Sequence, residues 1–467
     1  MAELVWNGKD ALGLDHQTEP EELLVEEVHG GGAGASPPPS LDPPVWTNRL
    51  VRGDVARVLP RLVHELRGQV ALVYVDPPFE TGSSFSYLAS IPEVRSDAPR
   101  VKVPAYRDAV GLDAWLASFH ATAVALRELL RDGGSLYVHL DEHIVHYAKV
   151  LLDEVFGPGS FQREIVWRIG WVSGFKSRAK NWIRNHDVIL FYAKGGNRSP
   201  GFLFHKEHVP YPLGYVRRDG QPPKGRGYPL EDVWNSSELD RLDSIQIMSF
   251  SGEKVGYPTQ KNENLVARIV SASSSPGDIV LDCFAGSGTA AAVAEKLGRR
   301  WVAIDSSEVA VHAARKRLLR LPHPQPFVVE GLARSERAPP AGKGERRSLE
   351  VEASVSGASC TIQLRSFVMP VRSVPREARR RVRHWSQWLD GWCVDWDHRG
   401  EALRVGACTW RPRPAKPVAL TSSHTYERAG SYRALIKAFD ILGGATTAEI
   451  TVDVRPGRRG RPMSSTL

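Results

Sequence analysis

Val70-Ala71-Leu72-Val73-Tyr74-Val75-Asp76-Pro77-Pro78-Phe79 decides how the rest of the chain is read. The apolar run predicts a strand buried on both faces, as in a parallel sheet, so Asp76 is expected at the strand's carboxyl end. Open α/β sheets place their ligands at that end. Two successive prolines fix φ and remove two backbone donors, leaving the Pro77 carbonyl as a free acceptor beside the Asp76 carboxylate. Such an acceptor pair favours the pyramidal, attacking form of an amino group whose lone pair is otherwise delocalised into a ring. Phe79 adds an apolar face on which an extruded planar ring can stack. Taken alone, the four residues read equally well as a strand-terminating turn, because Asp-Pro and Pro-Pro are ordinary turn dipeptides.

A second motif lies far downstream. Ile279-Val280-Leu281 predicts another strand, Gly286 and Gly288 a tight turn, and Ala290 to Leu297 the start of a helix. Arg300-Trp301-Val302-Ala303-Ile304 predicts the next strand, ending at Asp305. A βαβ unit with a glycine turn and an acid after its second strand suits a nucleoside with ribose hydroxyls. The turn lacks the full Gly-x-Gly-x-x-Gly spacing, which disfavours a cofactor with a pyrophosphate.

The order of these motifs carries a specific resemblance. Asn48-Arg49-Leu50-Val51-Arg52-Gly53-Asp54, Asp76-Pro77-Pro78-Phe79-Glu80-Thr81-Gly82, Tyr257-Pro258-Thr259-Gln260-Lys261-Asn262 and Leu281-Asp282-Cys283-Phe284-Ala285-Gly286-Ser287-Gly288-Thr289 are similar to the beta-group DNA amino-methyltransferases. This group includes the modification subunits of type III restriction systems. Its catalytic motif precedes its S-adenosylmethionine motif, with a target-recognition segment between them. The resemblance runs from about Val45 to Leu321 and takes in Asn185-His186-Asp187-Val188-Ile189-Leu190-Phe191-Tyr192-Ala193-Lys194.

The resemblance implies a Rossmann-like α/β fold with permuted motif order, S-adenosylmethionine as cofactor and duplex DNA as substrate. It assigns the catalytic tetrad to Asp76, Pro77, Pro78 and Phe79. Asp282, Phe284, Gly286, Ser287, Gly288 and Thr289 become the cofactor loop, Asp305 the ribose-binding acid, Asp54 a neighbour of the cofactor's adenine, and Thr259 with Lys261 the segment over its methionine end. Two positions depart from the family pattern: Asn262 stands where proline is usual, and Asp305 where Glu is frequent. Asp at the head of the tetrad resembles adenine-N6 enzymes, whereas cytosine-N4 enzymes more often carry Ser. Cytosine-N4 transfer stays open as the alternative. So do an RNA substrate and a DNA-reading subunit of a restriction or defence complex with little activity alone. Family members are often dimers. Carbon-5 methylation of cytosine needs a thiolate nucleophile, and none of the four cysteines follows a proline or sits in an electropositive turn.

Composition agrees with a polyanionic partner. The 467 residues carry a net charge of +8, with a pI near 9.3. Basic residues crowd the stretch between the two motifs. Arg178, Lys180, Arg184, Arg217, Arg218, Lys224 and Arg226 are the candidate DNA contacts, where phosphates can be neutralised and counterions released. Trp167, Trp171, Phe175 and Trp182 lie among these charges, and for any one of them core packing is the simpler reading. No apolar run is long enough to span a bilayer and the start has no secretory pattern, so a cytoplasmic location is expected. The cysteine spacing suggests neither a disulfide framework nor a zinc site, and no metal is expected.

Punctuation sets the expected domains. Residues 1–44 read as an acidic arm and a flexible Gly/Pro linker, loosely attached. Residues 45–330 form the catalytic domain, with target recognition at roughly 195–255. A linker at 331–348 leads to an all-β, immunoglobulin-like sandwich at 349–455, predicted from alternating apolar positions such as Tyr432, Ala434, Ile436 and Ala438, and a basic, disordered tail covers 456–467.

Overall fold

The computed structural model describes residues 3–9, 20–30, 46–80, 82–92, 101–108, 110–169, 180–196, 201–235, 253–333, 346–370, 374–400, 402–412 and 416–455. The chain divides into two units. The first comprises Met1–Leu24, Pro44–Tyr87 and Pro104–Ser335, and the second Val25–Pro43, Leu88–Val103 and Glu336–Leu467.

Strand β1 (Asn48–Arg52), helix α1 (Val55–Leu66) and strand β2 (Val70–Val75) open the sheet of the first unit, and every residue of β2 is buried. The unit continues through α2 (Leu112–Leu129), β3 (Leu130–Leu140), α3 (Val145–Phe156), β4 (Phe161–Arg168), β5 (His186–Ala193) and β6 (Val233–Trp234). It closes with α4 (Glu263–Ser273), β7 (Ile279–Asp282), α5 (Thr289–Lys296), β8 (Arg300–Asp305), α6 (Glu308–Leu318) and β9 (Phe327–Leu332). The strands lie in the order β6-β4-β5-β3-β2-β7-β8-β1-β9. β5 runs antiparallel to both of its neighbours, and the other pairings are parallel. Parallel neighbours on both sides of β2 account for its unbroken apolar run.

Helices cover both faces. Val58, Leu59 and Leu62 of α1, Trp115, Leu116, Phe119 and Ala123 of α2, and Ala148, Leu151 and Leu152 of α3 share one core with Val73 and Val75. Leu265, Val266, Ile269 and Val270 of α4, the Ala290–Ala294 run of α5, and Val311, Ala314 and Leu318 of α6 share the opposite core with Leu72 and Val280. Alternate residues of β2 thus point into different layers, as strand geometry requires. No helix among the described residues is long and apolar enough to cross a membrane.

The expectation of a loose amino-terminal arm does not hold for its described parts. Trp6 is buried in the first core and stacks obliquely on His120. Leu23–His29 forms a strand whose Glu27, Val28 and His29 pair in parallel with Leu403, Arg404 and Val405 within the second unit.

The second unit holds two antiparallel sheets. One joins Ser348–Ser356, Ser359–Val368 and Thr421–Thr425, and the other orders Ala407–Trp410, Leu389–Asp395, Gly430–Asp440 and Ala445–Val454. Ala434, Ile436 and Ala438 are buried on one face of the long strand. Leu88–Val103 belongs to this unit because Arg411 donates to the Ser90 carbonyl at 2.9 Å and Gln387 to that of Pro92 at 3.0 Å. Cysteine spacing gave no hint of a disulfide, yet Cys393 and Cys408 are bonded. They face each other across paired antiparallel strands, a register that no short-range spacing encodes. The tail at 456–467 and most of the 331–348 linker lie outside the described residues.

Candidate active site

Strands β2, β7, β8 and β1 are consecutive parallel neighbours, and beyond or at the carboxyl end of each stands an aspartate. Asp76, Asp282, Asp305 and Asp54 all line one cavity of about 620 Å³. Pro77, Pro78 and Phe79 line it with them, as do Thr259, Lys261, Phe284, Gly286, Ser287 and Thr289. The early tetrad and the late glycine turn are therefore brought together. Gly288 is the exception. Its φ is 73° and a Cβ there would stand 2.8 Å from that of Ala314, so this glycine lets α5 approach α6 and begins α5 in a left-handed conformation. Residues to which the sequence assigned no role also line the cavity, among them Tyr74, Phe85, Ser118, Tyr257 and Ser307.

The tetrad is braced from behind. The Pro78 carbonyl accepts the Trp115 indole N–H at 2.7 Å. Glu80 takes a positive φ of 57°, and its carboxylate accepts the N–H groups of Val110 and Gly111 at 2.9 and 2.7 Å, tying the tetrad to the start of α2. Asp76 Oδ2 accepts from Lys261 Nζ at 2.6 Å, while Oδ1 is buried with no hydrogen-bond partner among the described residues. The same ammonium lies 5.2 Å from the centre of the Phe79 ring.

Local chemistry shapes the loop that delivers Lys261. Gln260 accepts the Val255 N–H at 3.0 Å and donates to the Glu253 carbonyl at 2.7 Å, which folds the segment on itself. Asn262 accepts the Leu265 N–H at 3.2 Å and so caps α4. The departure from proline is a helix-capping choice. Gly286 leaves room for the Tyr257 ring, which a Cβ would meet at 3.3 Å. Behind the glycine turn, buried Arg317 donates to Thr289 Oγ1 at 2.8 Å and to Glu263 at 2.7 Å, and Thr289 donates to the Lys261 carbonyl at 3.1 Å.

A buried chain of side chains underlies the tetrad. Tyr74 Oη lies 3.1 Å from His139 Nδ1, and His139 Nε2 lies 3.3 Å from Asp187 Oδ2. A ring that donates Nε2–H to Asp187 takes the Tyr74 hydroxyl at Nδ1. The His139 ring also stacks under Phe79, with centroids 6.2 Å apart. The ring is wholly buried. Burial opposes ionisation of Asp187, but the hydrogen bond and charge of His139, with Lys261 and Arg184, outweigh it and hold the carboxyl at about 2. Burial and the charges of Asp76, Asp282 and Asp187 keep the Tyr74 phenol protonated.

Two acids of the cavity are pushed the other way. Burial raises the Asp282 carboxyl to about 8 against the Phe284 N–H that it accepts, and the charges of Asp76 and Asp305 add to the rise. Burial also raises Asp305, although its two oxygens accept the N–H groups of Gly286 and Ser307, each at 2.8 Å. Asp54 caps α1 by accepting the Ala56 N–H at 2.9 Å.

The expected DNA contacts divide. Lys180, Arg218, Lys224 and Arg226 are exposed, and Arg217 pairs with Asp219 at 2.9 Å. Arg184 is ion-paired with Glu142 and Asp187 and lies 3.9 Å from Asp141, so its charge is shared with acids of the fold while 33% of its side chain stays exposed. Arg178 lies outside the described residues. Of the expected recognition segment, residues 197–200 and 236–252 are likewise outside. The described part carries a short antiparallel pair, His208–Val209 with Tyr228–Pro229, and a packed trio of rings, Tyr211, Tyr215 and Tyr228.

A family model described as DNA methylase, N6_N4_Mtase, matches residues 70–316. Among curated proteins the chain is 29% identical over 333 residues to the type II methyltransferase M.EcaI of Enterobacter cloacae, covering 58% of this chain and 70% of that one. It is 27% identical over 285 residues to the DNA adenine methyltransferase YhdJ of Escherichia coli (strain K12), covering 58% and 82%. A solved complex of M1.HpyAVI with SAM is similar at 19% identity and a TM-score of 0.39, covering 58% of this chain and 99% of that one.

Proposed function

The chain belongs to the N6_N4_Mtase family of DNA methylases, and we propose that it transfers a methyl group from S-adenosylmethionine to the N6 amino group of adenine in duplex DNA. One observation carries this reading: the Asp76-Pro77-Pro78-Phe79 tip and the glycine turn line the same cavity. The lining suits the donor by its chemistry. Four aspartates face a single lysine among the lining residues, which favours a ligand bearing sulfonium and ammonium charges. Asp305 and Asp54 would hold the nucleoside end, and Asp282 with the Phe284–Thr289 turn the amino-acid end. When bound, S-adenosylmethionine supplies an electrophilic methyl group on sulfur.

The protein's own task is orientation. Asp76 and the Pro77 carbonyl accept the hydrogens of the target amino group and turn its lone pair toward the methyl. Phe79, backed by His139, stacks on a base extruded from the duplex. Lys180, Arg218, Lys224 and Arg226 supply exposed charge for the DNA backbone. Adenine is favoured over cytosine by the Asp at the head of the tetrad and by the likeness to YhdJ. We read the second unit, with its two antiparallel sheets, as an immunoglobulin-like module that docks DNA or a partner of a restriction or defence system.

Sequencing genomic DNA for modified bases in cells with and without the gene tests the reading. N6-methyladenine at one short motif, present only with the gene, is the expected result. N4-methylcytosine would reassign the base, and an unmodified genome would refute the activity.

A further inference from the structure

The contact between Lys261 and Asp76 was not foreseen from the sequence, where Lys261 was matched to the segment over the cofactor's methionine end. Its position differs in three ways that bear on function. The ammonium is fixed on Asp76 Oδ2 at 2.6 Å. It lies over the Phe79 ring, 5.2 Å from its centre. Asp76 Oδ1, the oxygen left over, is buried and has no hydrogen-bond partner among the described residues. A lysine ammonium has three N–H donors, and Asp76 takes one of them.

We propose that Lys261 and Asp76 form a donor–acceptor fork that reads the amino edge of the target base, Asp76 Oδ1 accepting from the amino group and Lys261 Nζ donating to the adjacent ring nitrogen. This rests on the DNA-methyltransferase reading and deepens it by stating what the site selects. Adenine presents N6–H beside the acceptor N1, and cytosine presents N4–H beside the acceptor N3. Both complement the fork. Guanine and thymine present an acceptor oxygen beside a ring N–H, so both positions would meet like with like, and each mispairing leaves buried polar groups unsatisfied. The fork therefore selects an aminobase over a keto base and does not itself distinguish adenine from cytosine.

The pairing is also economical for Asp76. Its side chain is 18% exposed and shares the cavity with Asp282 and Asp305, so a carboxylate there without a cation would be costly. Lys261 neutralises Asp76 while occupying only one of its oxygens. The backbone behind the lysine is secured by Thr289 on its carbonyl and by the Asn262 cap one residue later, which keeps the ammonium in register with the tetrad.

A chemical double-mutant cycle tests this on the full chain, with duplexes carrying the site identified by modification sequencing. The target adenine is compared with 1-deazaadenine, in which C–H replaces the ring nitrogen, for wild type and Lys261→Met. Wild type is expected to lose about tenfold or more in kcat/KM on the deaza base, the size of one charged hydrogen bond. Lys261→Met should be slow on adenine, lose less than about twofold further on the deaza base, and keep its KM for S-adenosylmethionine. Lys261→Arg, which retains a donor, should recover part of the sensitivity to the ring nitrogen. Equal losses for wild type and Lys261→Met, or a Lys261→Met defect confined to the cofactor KM, would overturn the proposal. Should Lys261→Met not fold, wild type alone decides: indifference to the ring nitrogen refutes the contact. Absence of any transfer by wild type to the parent duplex would instead refute the methyltransferase reading, a separate outcome.

Discussion

Asp282 ends the strand that pairs with the one leading into Asp76, and the charge on Asp76 opposes ionisation of Asp282. Burial is the larger cause, and together they place the Asp282 carboxyl at about 8. At neutral pH the folded chain thus holds a proton that the unfolded chain releases at the ordinary value of 3.8. The stability linked to this group is present below that value and is lost as pH rises through about 8. Urea midpoints of the cofactor-free protein are expected to fall across this window, and Asp282→Asn should flatten the fall.

Cofactor binding follows from the same group. A cation placed near Asp282 favours its carboxylate, so association at pH 7 should release up to one proton. Calorimetry in buffers of different ionisation enthalpy measures this directly. Wild type should release protons to the buffer, and Asp282→Asn should release none.

The two glycines of the turn should respond differently. Gly288→Ala puts a Cβ against Ala314 at a φ of 73°, and the expected cost is about 1 to 3 kcal/mol of stability. Gly286→Ala is also strained, at a φ of 50°, but meets only the Tyr257 ring at 3.3 Å inside the cavity wall, so it should add a raised KM for S-adenosylmethionine to its stability cost. Thermal or urea unfolding, set beside initial rates, separates the two.

His139→Ala would leave buried Tyr74 without its hydrogen-bond partner, leave buried Asp187 with Arg184 alone, and remove the ring beneath Phe79. A loss of roughly 3 kcal/mol in urea unfolding is expected. Tyr74→Phe, which leaves the Asp187 contact intact, should cost only about 1 kcal/mol.

The exposed basic residues of the recognition segment should act additively and without sequence preference. Replacing Arg218, Lys224 or Arg226 with Ala should each weaken duplex binding and reduce the slope of log K against log salt by about 1. Arg184→Ala should leave that slope unchanged and lower stability, because its charge is already shared among Asp141, Glu142 and Asp187. Anisotropy titrations at several salt concentrations distinguish these outcomes.

Much of the catalytic unit was legible because its signals are local. An apolar run before Asp76 and another before Asp282 read as central parallel strands, and that reading places their acids at one edge. What escaped depends on partners distant in sequence. Tyr74, His139 and Asp187 come from three strands, and nothing near any of them signals the other two. Gly286 and Gly288 look alike in the motif, and only the packing of Ala314 tells them apart. Lys261 carries a charge that could serve many ligands, and its choice of Asp76 is made by a cap at Asn262 and a fold at Gln260. Cys393 and Cys408 meet only because their strands pair in one register.

The central claim is that Asp76, rigidly held at the strand tip, makes a delocalised amino group reactive toward a methyl donor in the same cavity. Single-turnover transfer of tritiated methyl to a site-bearing duplex by Asp76→Ala, with cofactor binding measured in parallel, tests it most directly. The expected result is cofactor affinity within about threefold of wild type and a transfer rate reduced by at least about a thousandfold. Transfer near the wild-type rate would contradict the account.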